Sequence, residues 1–195
     1  MISGIVICQD EQEIIGKCLS QLMWTDEIIV IDGGSEDDTI EAIKEYRDKV
    51  DKIIRIIKNP FKGCFNDQKN LAISLARTPW VFNLDADETI ESGLITEVIG
   101  LIKSKACDAI AIPRKNYVGK NRTSVYPDYQ HRCFRVFCRF IYSVHEELVG
   151  YRRMVNAENH IIHNKSSHRY EAQQRQYHDL KQEIGYKLRL PYEEW

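Results

Sequence analysis

The chain has 195 residues, 43% apolar, 29% charged and 10% aromatic, enough apolar material for one globular domain with a sizeable core. That composition excludes disorder, collagen and coiled coil. Lys and Arg number 27 against 29 Asp and Glu, a net charge of −2, which offers no strongly basic face of the kind nucleic acid requires.

The charge is unevenly spread. Residues 1–110 carry 12 basic and 20 acidic side chains, a setting suited to a divalent cation; residues 111–195 carry 15 and 9, and all six histidines. The later basic excess suits an anionic acceptor or a membrane surface, or is a scatter of solvated Lys and Arg. Apolar runs such as 27–31 and 80–82 are strand-sized, none spans a bilayer, and the first residues lack the basic region of a secretory signal. A soluble, cytoplasmic chain is expected. The six cysteines show no zinc-ligand spacing, and Cys8, Cys18 and Cys107 read as small core residues of a reduced compartment.

In chain order, residues 2–8 form a first apolar strand, and from Glu13 the residues Ile14, Ile15, Cys18, Leu19, Leu22 and Met23 recur at helical spacing. Residues 28–31 are a second buried strand, followed by a Gly33-Gly34-Ser35 turn and a helix over about 38–50. A third strand at 52–57 is broken by Asn59-Pro60; a helix at 67–77, a fourth strand at 80–84 and a helix over about 89–103 follow. This rhythm belongs to a parallel sheet covered on both faces. After a fifth strand at 107–112 the pattern loosens into short mixed segments at 132–138, 144–149 and 159–163. Residues 170–190 turn helical, with Tyr177, Leu180, Ile184 and Leu188 on a stripe that packs on the domain or meets a membrane. No repeat or linker divides the chain, so one domain over 1–195 is expected, in parts 1–110, 111–169 and the helix 170–190. The ending after Leu190-Pro191 reads as that of a trimmed chain.

Ligands of an open parallel sheet bind outside the carboxyl ends of its strands. Three such ends carry carboxylates: Cys8-Gln9-Asp10-Glu11, Asp32-Gly33-Gly34-Ser35 and Asp85-Ala86-Asp87-Glu88. Each has a local explanation, Asp10 as a helix N-cap, Asp32 as a turn former and 85–88 as an acidic first helical turn. Three together favour a site. On an extended segment the carboxylates of Asp85 and Asp87 project to one side, roughly 6–7 Å apart. One then suits a hard cation, Mg²⁺ or Mn²⁺, and the other a ribose hydroxyl or a metal-bound water.

The segments EIIVIDGGSEDDT (27–39), QKNLAISLARTPWVFNLDADE (68–88) and VHEELVG (144–150), with His163 beyond them, stand in an order that resembles the family 2 glycosyltransferases. These are inverting, nucleotide-sugar-dependent enzymes of the α/β GT-A fold, a mostly parallel sheet flanked by helices; the likeness is to the small bacterial branch that includes lipopolysaccharide-core glucosyltransferases. The resemblance spreads over about 155 of the 195 residues. It departs from that branch at Asp10, where Asn is usual, and at Lys69, where Arg is common.

The resemblance implies that Asp32 accepts from the nucleotide base or ribose, with Cys8, Asp10 and Glu11 lining the same pocket and Lys69 near the nucleotide. It implies Asp85 on the ribose side and as a metal ligand, Asp87 as the principal ligand of a DXD motif, and His163 as a further ligand. It makes 1–110 the nucleotide-sugar half and 111–169 the acceptor and base half. Transfer also needs a base on the far face of the sugar. Glu146 is the candidate, with His145 orienting it or touching the diphosphate; a solvated acidic pair beside a structural histidine is the alternative. Arg132 and Arg135 face the diphosphate, the acceptor or solvent. The implied donor is a UDP-sugar, the acceptor a glycan or lipid-linked hydroxyl in lipopolysaccharide or capsule synthesis, with no nucleic acid and with peripheral membrane contact open. Two rivals remain: a haloacid-dehalogenase-like phosphatase using Asp85 and Asp87, whose motif normally follows a first strand and has Gly at the place of Glu88, and a non-catalytic nucleotide-sugar-binding protein. A dinucleotide oxidoreductase lacks its glycine fingerprint.

Overall fold

The structure is a computed structural model that describes residues 1–123, 125–142 and 146–165. Strands β1 (Ile2–Cys8), β2 (Glu27–Asp32), β3 (Ile54–Lys58) and β4 (Trp80–Asn83) lie in the order β3-β2-β1-β4, all parallel. β1 and β2 are buried along nearly their whole length, which is why they read as apolar runs and not as alternating patterns. Alternate side chains serve opposite faces. Ile2, Val6, Ile28 and Val30 pack with α1 (Ile15–Gln21), α2 (Thr39–Asp48) and α4 (Leu94–Lys103), while Ile5, Ile29, Ile31 and Val81 pack with α3 (Phe65–Leu75). Each fully buried Ile, Leu or Phe here contributes ~1.5–3 kcal/mol.

The parallel order ends at β4. β8 (Asp128–Arg135) runs antiparallel beside it, and β6 (Ala109–Val118) pairs antiparallel with the other edge of β8. The fifth strand of the sequence is thus one place further from β4 than a simple parallel sheet puts it. β6 also pairs in parallel with β11 (Met154–Asn156) and β12 (Ile161–Lys165), and β7 (Asn121–Arg122) folds back on its end. The sheet is therefore mixed beyond β4. The helix expected from about residue 89 begins only at Leu94, because β5 (Glu88–Ile90) pairs antiparallel with β12 and Gly93, at φ +95°, turns the chain into α4. A hairpin of β9 (Arg139–Ile141) and β10 (Glu147–Val149) lies on the α3 face, with Phe140 and Leu148 in that core.

The expected helix over 170–190 lies outside the described residues. Among the described residues no helix is long and apolar enough to cross a membrane.

Candidate active site

The carboxyl ends of β1 and β2 lie side by side, with Cys8 opposite Asp32. Asp32 is buried and locks its own turn, accepting from the N–H of Ser35 at 3.2 Å, the Ser35 hydroxyl at 2.5 Å and the N–H of Gly34 at 3.3 Å. Gly34 sits at φ +103°, a backbone state that glycine adopts without strain. Asp10, at φ 55°, does not cap α1; its carboxylate accepts from the N–H of Glu36 at 2.7 Å, and its own N–H donates to Ser35 Oγ at 3.0 Å. The Glu11 N–H donates to Thr39 Oγ1 at 2.7 Å. The loops after β1 and β2 are thereby one cross-linked unit. Burial, then the carboxylates of Asp32, Glu11 and Asp37, push the Cys8 thiol up to about 12, so it packs as a neutral group. The structure brings together the four residues expected around a nucleotide, with the Asp32 and Asp10 carboxylates engaged by these loops.

Beyond β4 the polar residues form a continuous network. Arg132 of β8 grips Asp85 with Nη1 at 3.1 Å and Nη2 at 2.6 Å, and its Nη2 also donates to Glu88. Glu88, whose side chain has no exposed surface, accepts from Arg114 Nη1 at 3.1 Å and from the N–H of Asp85 at 3.1 Å. Arg114 Nε donates to Asp128 at 3.0 Å, and Asn116 Nδ2 donates to the same Asp128 oxygen at 2.7 Å. Asn116 Oδ1 lies 2.7 Å from His163 Nδ1, and His163 Nε2 lies 3.1 Å from Asp87 Oδ2. The chain of contacts that leaves Asp85 thus returns to Asp87 through β8, β5, β6 and β12. Burial opposes ionisation of Asp85, but Arg132, Lys69 and Arg114 outweigh it and hold its carboxyl well below the usual carboxylate range.

Both Asp85 oxygens face Arg132, while Asp87 Oδ2 and His163 Nε2 meet at hydrogen-bond distance. Among the described residues no three His, Cys, Asp or Glu side chains gather as a metal site. A cation here would take its remaining ligands from water and phosphate oxygens, the usual habit of Mg²⁺ and Mn²⁺ at nucleotides.

Lys69, on α3, donates from Nζ to Glu146 Oε1 at 2.9 Å, each side chain 17% exposed. Lys69 also lies 4.9 Å from the Phe140 ring centre and is close enough to Asp85 to stabilise its charge. Asn70 closes two bonds on the backbone of Phe140, Nδ2 to the carbonyl at 2.8 Å and the N–H to Oδ1 at 2.9 Å, and so ties α3 to β9. The hairpin that carries Glu146 is docked on the helix that carries Lys69. His145 lies outside the described residues. Arg114, Asn116, Asp128 and Asn70 are given no role by the sequence, Glu88 is read there only as part of the 85–88 carboxylate cluster, and Arg132 is left with its direction open. The alternation of Arg132 with Cys133 and Phe134 was the available signal, since a charge on an otherwise buried strand needs a partner.

The profile described as Glycosyl transferase family 2 matches residues 3–169. The chain belongs to glycosyl transferase family 2. The family's GT-A fold accounts for the architecture, and the phosphatase and oxidoreductase readings fall away. Lipopolysaccharide core biosynthesis glycosyltransferase LpsC of Rhizobium meliloti (strain 1021) is 36% identical over 93 residues, 48% of this chain and 34% of that protein. The chain thus spans about a third of the length of that relative. S. aureus TarS 1–349, solved in complex with UDP-GlcNAc, is similar in fold with a TM-score of 0.64, at 17% identity over 84% of this chain and 58% of that one. Mannosyltransferase PcManGT from Pyrobaculum calidifontis, solved with GDP-Man and Mn²⁺, has a TM-score of 0.53 at 17% identity, over 58% of this chain and 35% of that one.

Proposed function

We propose that this chain transfers a sugar, with inversion, from a nucleotide donor of the UDP-sugar kind to an acceptor hydroxyl. The observation that carries this reading is the meeting of Asp87, in the segment after β4, with His163 of β12, 76 residues apart in sequence. The oxygen-rich set with one imidazole nitrogen suits Mn²⁺ better than Mg²⁺. When bound there, a divalent cation supplies Lewis-acid stabilisation of the departing nucleoside diphosphate. Asp32, Asp10, Glu11 and Cys8 form the wall against which the base and ribose sit, and Asp85, oriented by Arg132, faces the ribose side. Glu146 takes the proton of the attacking hydroxyl, and Lys69 holds it in position.

The LpsC likeness supports a role in lipopolysaccharide or capsule assembly, with a glycan or lipid-linked acceptor. Work at the cytoplasmic face of the membrane, by peripheral contact, is consistent with that role. The deciding experiment is a thermal-shift titration with UDP, with and without Mn²⁺. Stabilisation requiring both is expected, ~2.7 kcal/mol at a hundredfold ligand excess over Kd. It is expected to vanish in Asp87→Ala. Equal stabilisation in that variant, or without metal, rejects the cation pair.

A further inference from the structure

We propose that Tyr129 and Tyr126 form an acceptor platform, an aromatic strip leading away from the Lys69–Glu146 pair on which a sugar ring of a glycan acceptor stacks. The inference rests on the reading of this chain as a sugar transferase whose base stands beside Lys69, and it names what carries the attacked hydroxyl.

Strand pairing puts the strip on one face of the sheet. Residues paired across adjacent strands share a face, and along a strand every second side chain returns to it. In β8, Phe134 stands opposite Ala109 of β6, and both pack in the core beneath α3 and the β9–β10 hairpin. The register shift between Ile110 and Ala111 takes up Arg132, so His131 and Tyr129, opposite Ala111 and Pro113, carry that same face onward. His131 is the near end of the strip. Its ring lies 6.5 Å from that of Tyr151, which packs against this core; burial lowers its imidazole below the usual range, and the charges of Glu147, Arg132 and Lys69 act on it. Tyr129 follows two residues out, ~7 Å along the strand. There the cover ends, and Tyr129 is 44% exposed.

The next ring is fixed in place although it is 45% exposed. The Tyr126 hydroxyl lies 2.7 Å from His160 Nε2, and the Arg122 guanidinium stands 4.0 Å over its ring. His160 is anchored in turn by Glu91, which accepts its backbone N–H at 3.1 Å, and Lys115 Nζ donates to Glu91 at 3.0 Å. Arg122 stands opposite Tyr117 of β6, so Lys115, Tyr117 and Arg122 share the face of Pro113. Rings laid face to face stand ~3.5 Å apart, so the 2.7 Å meeting of Tyr126 with His160 is at their edges, and His160 does not cover the Tyr126 ring.

Two such rings on one sheet face offer flat, apolar surfaces whose faces are electron-rich. A pyranose has the complementary form: a face of C–H bonds, apolar and faintly positive, with hydroxyls around its rim. Tyrosines make that contact at little cost in side-chain entropy. Continuity decides the occupant. The strip starts where the Lys69 charge reaches His131, beside the carboxylate that takes the hydroxyl proton, so the ring seated on Tyr129 belongs to the acceptor.

The test uses the 195-residue chain with ¹³C-labelled tyrosine rings. It is titrated with core oligosaccharide released by mild acid from a rough lipopolysaccharide, in the presence of UDP and Mn²⁺, and separately with phosphatidylglycerol vesicles. Tyr129→Phe and Tyr126→Phe assign the two ring signals. Oligosaccharide is expected to shift both, with saturation transfer from the rings to sugar C–H protons, and vesicles are expected to shift neither. Tyr129→Ala is expected to weaken oligosaccharide binding ~3–10-fold, while Tyr129→Phe, which keeps the ring, binds as the parent does. UDP binding by calorimetry is expected to be the same in all three. Oligosaccharide that binds without touching Tyr129, or equally well in Tyr129→Ala, overturns the platform. So do vesicles that shift the Tyr129 signal where the oligosaccharide does not, since the face then meets a membrane. UDP binding without oligosaccharide binding overturns the platform and leaves the donor reading standing. Oligosaccharide seated on Tyr129 in a chain that binds no UDP upholds the platform and rejects the donor reading alone.

Discussion

Glu146 shows what one side chain needs in order to act as a base. It is mostly buried, it sits outside the strands that build the nucleotide corner, and its Oε1 is fixed 2.9 Å from the Lys69 ammonium. A carboxylate so held has one oxygen anchored and, among the described residues, the other without a hydrogen-bond partner. Glu146→Gln keeps the shape and a partial contact to Lys69 but removes the proton acceptor. The expected outcome is unchanged UDP binding by calorimetry and a kcat lower by ~10²–10⁴; transfer at the parental rate removes Glu146 from the role. At this scale the sequence was informative where a motif is local. Asp85 and Asp87 announce themselves by spacing, and His163 by ending an apolar run. Arg132, Asp128 and Asn116 do not, because each acquires its purpose from a partner 12–47 residues away, chosen by strand pairing.

Elements carry the next share of the site, and Asn70 is the clearest case. One amide side chain satisfies both the N–H and the carbonyl of Phe140, and Phe140 stacks edge-on against Phe134 at 5.4 Å between ring centres. The staple holds β9–β10 against α3 and thereby sets the distance between Glu146 and Lys69. Asn70→Ala leaves a donor and an acceptor in a buried place, at ~1–3 kcal/mol for each group left unpaired. The expected result is a lower urea midpoint together with a fall in kcat and little change in donor affinity. If kcat holds while stability drops, the hairpin is not what places the base. The alternation of strands and helices up to β4 was legible because buried parallel strands declare themselves as Ile and Val runs. The start of α4 was not. Thr89 and Ile90 fit either a helix or a strand, and only pairing with β12 decides between them.

Across the whole molecule, the Asp85–Arg132–Glu88 array ties the parallel part of the sheet to the antiparallel part, since Asp85 follows β4 and Arg132 comes from β8. Arg132 is 3% exposed and faces two carboxylates, so removing it strands buried charge, at a cost of ~3–5 kcal/mol against a usual total of ~5–15. The pH dependence has a definite sign. The Asp85 carboxyl is depressed in the folded chain, so its contribution to stability is complete above the unfolded carboxyl pKa of about 3.9. That contribution is lost progressively as pH falls below that value toward the folded one. Urea midpoints measured from neutral pH down through that window are therefore expected to fall steeply in the parent. Arg132→Met, if it folds, starts lower at neutral pH and loses less on acidification, because the cation that depressed Asp85 is gone. Asp85→Asn reaches the same shallower slope from the other partner, without leaving the Glu88–Arg132 pair unmade. Equal slopes in parent and Asp85→Asn place the acid sensitivity elsewhere, and the seam between β4 and β8 then holds by apolar packing of Val81 and Phe82 against Phe134 and Cys133.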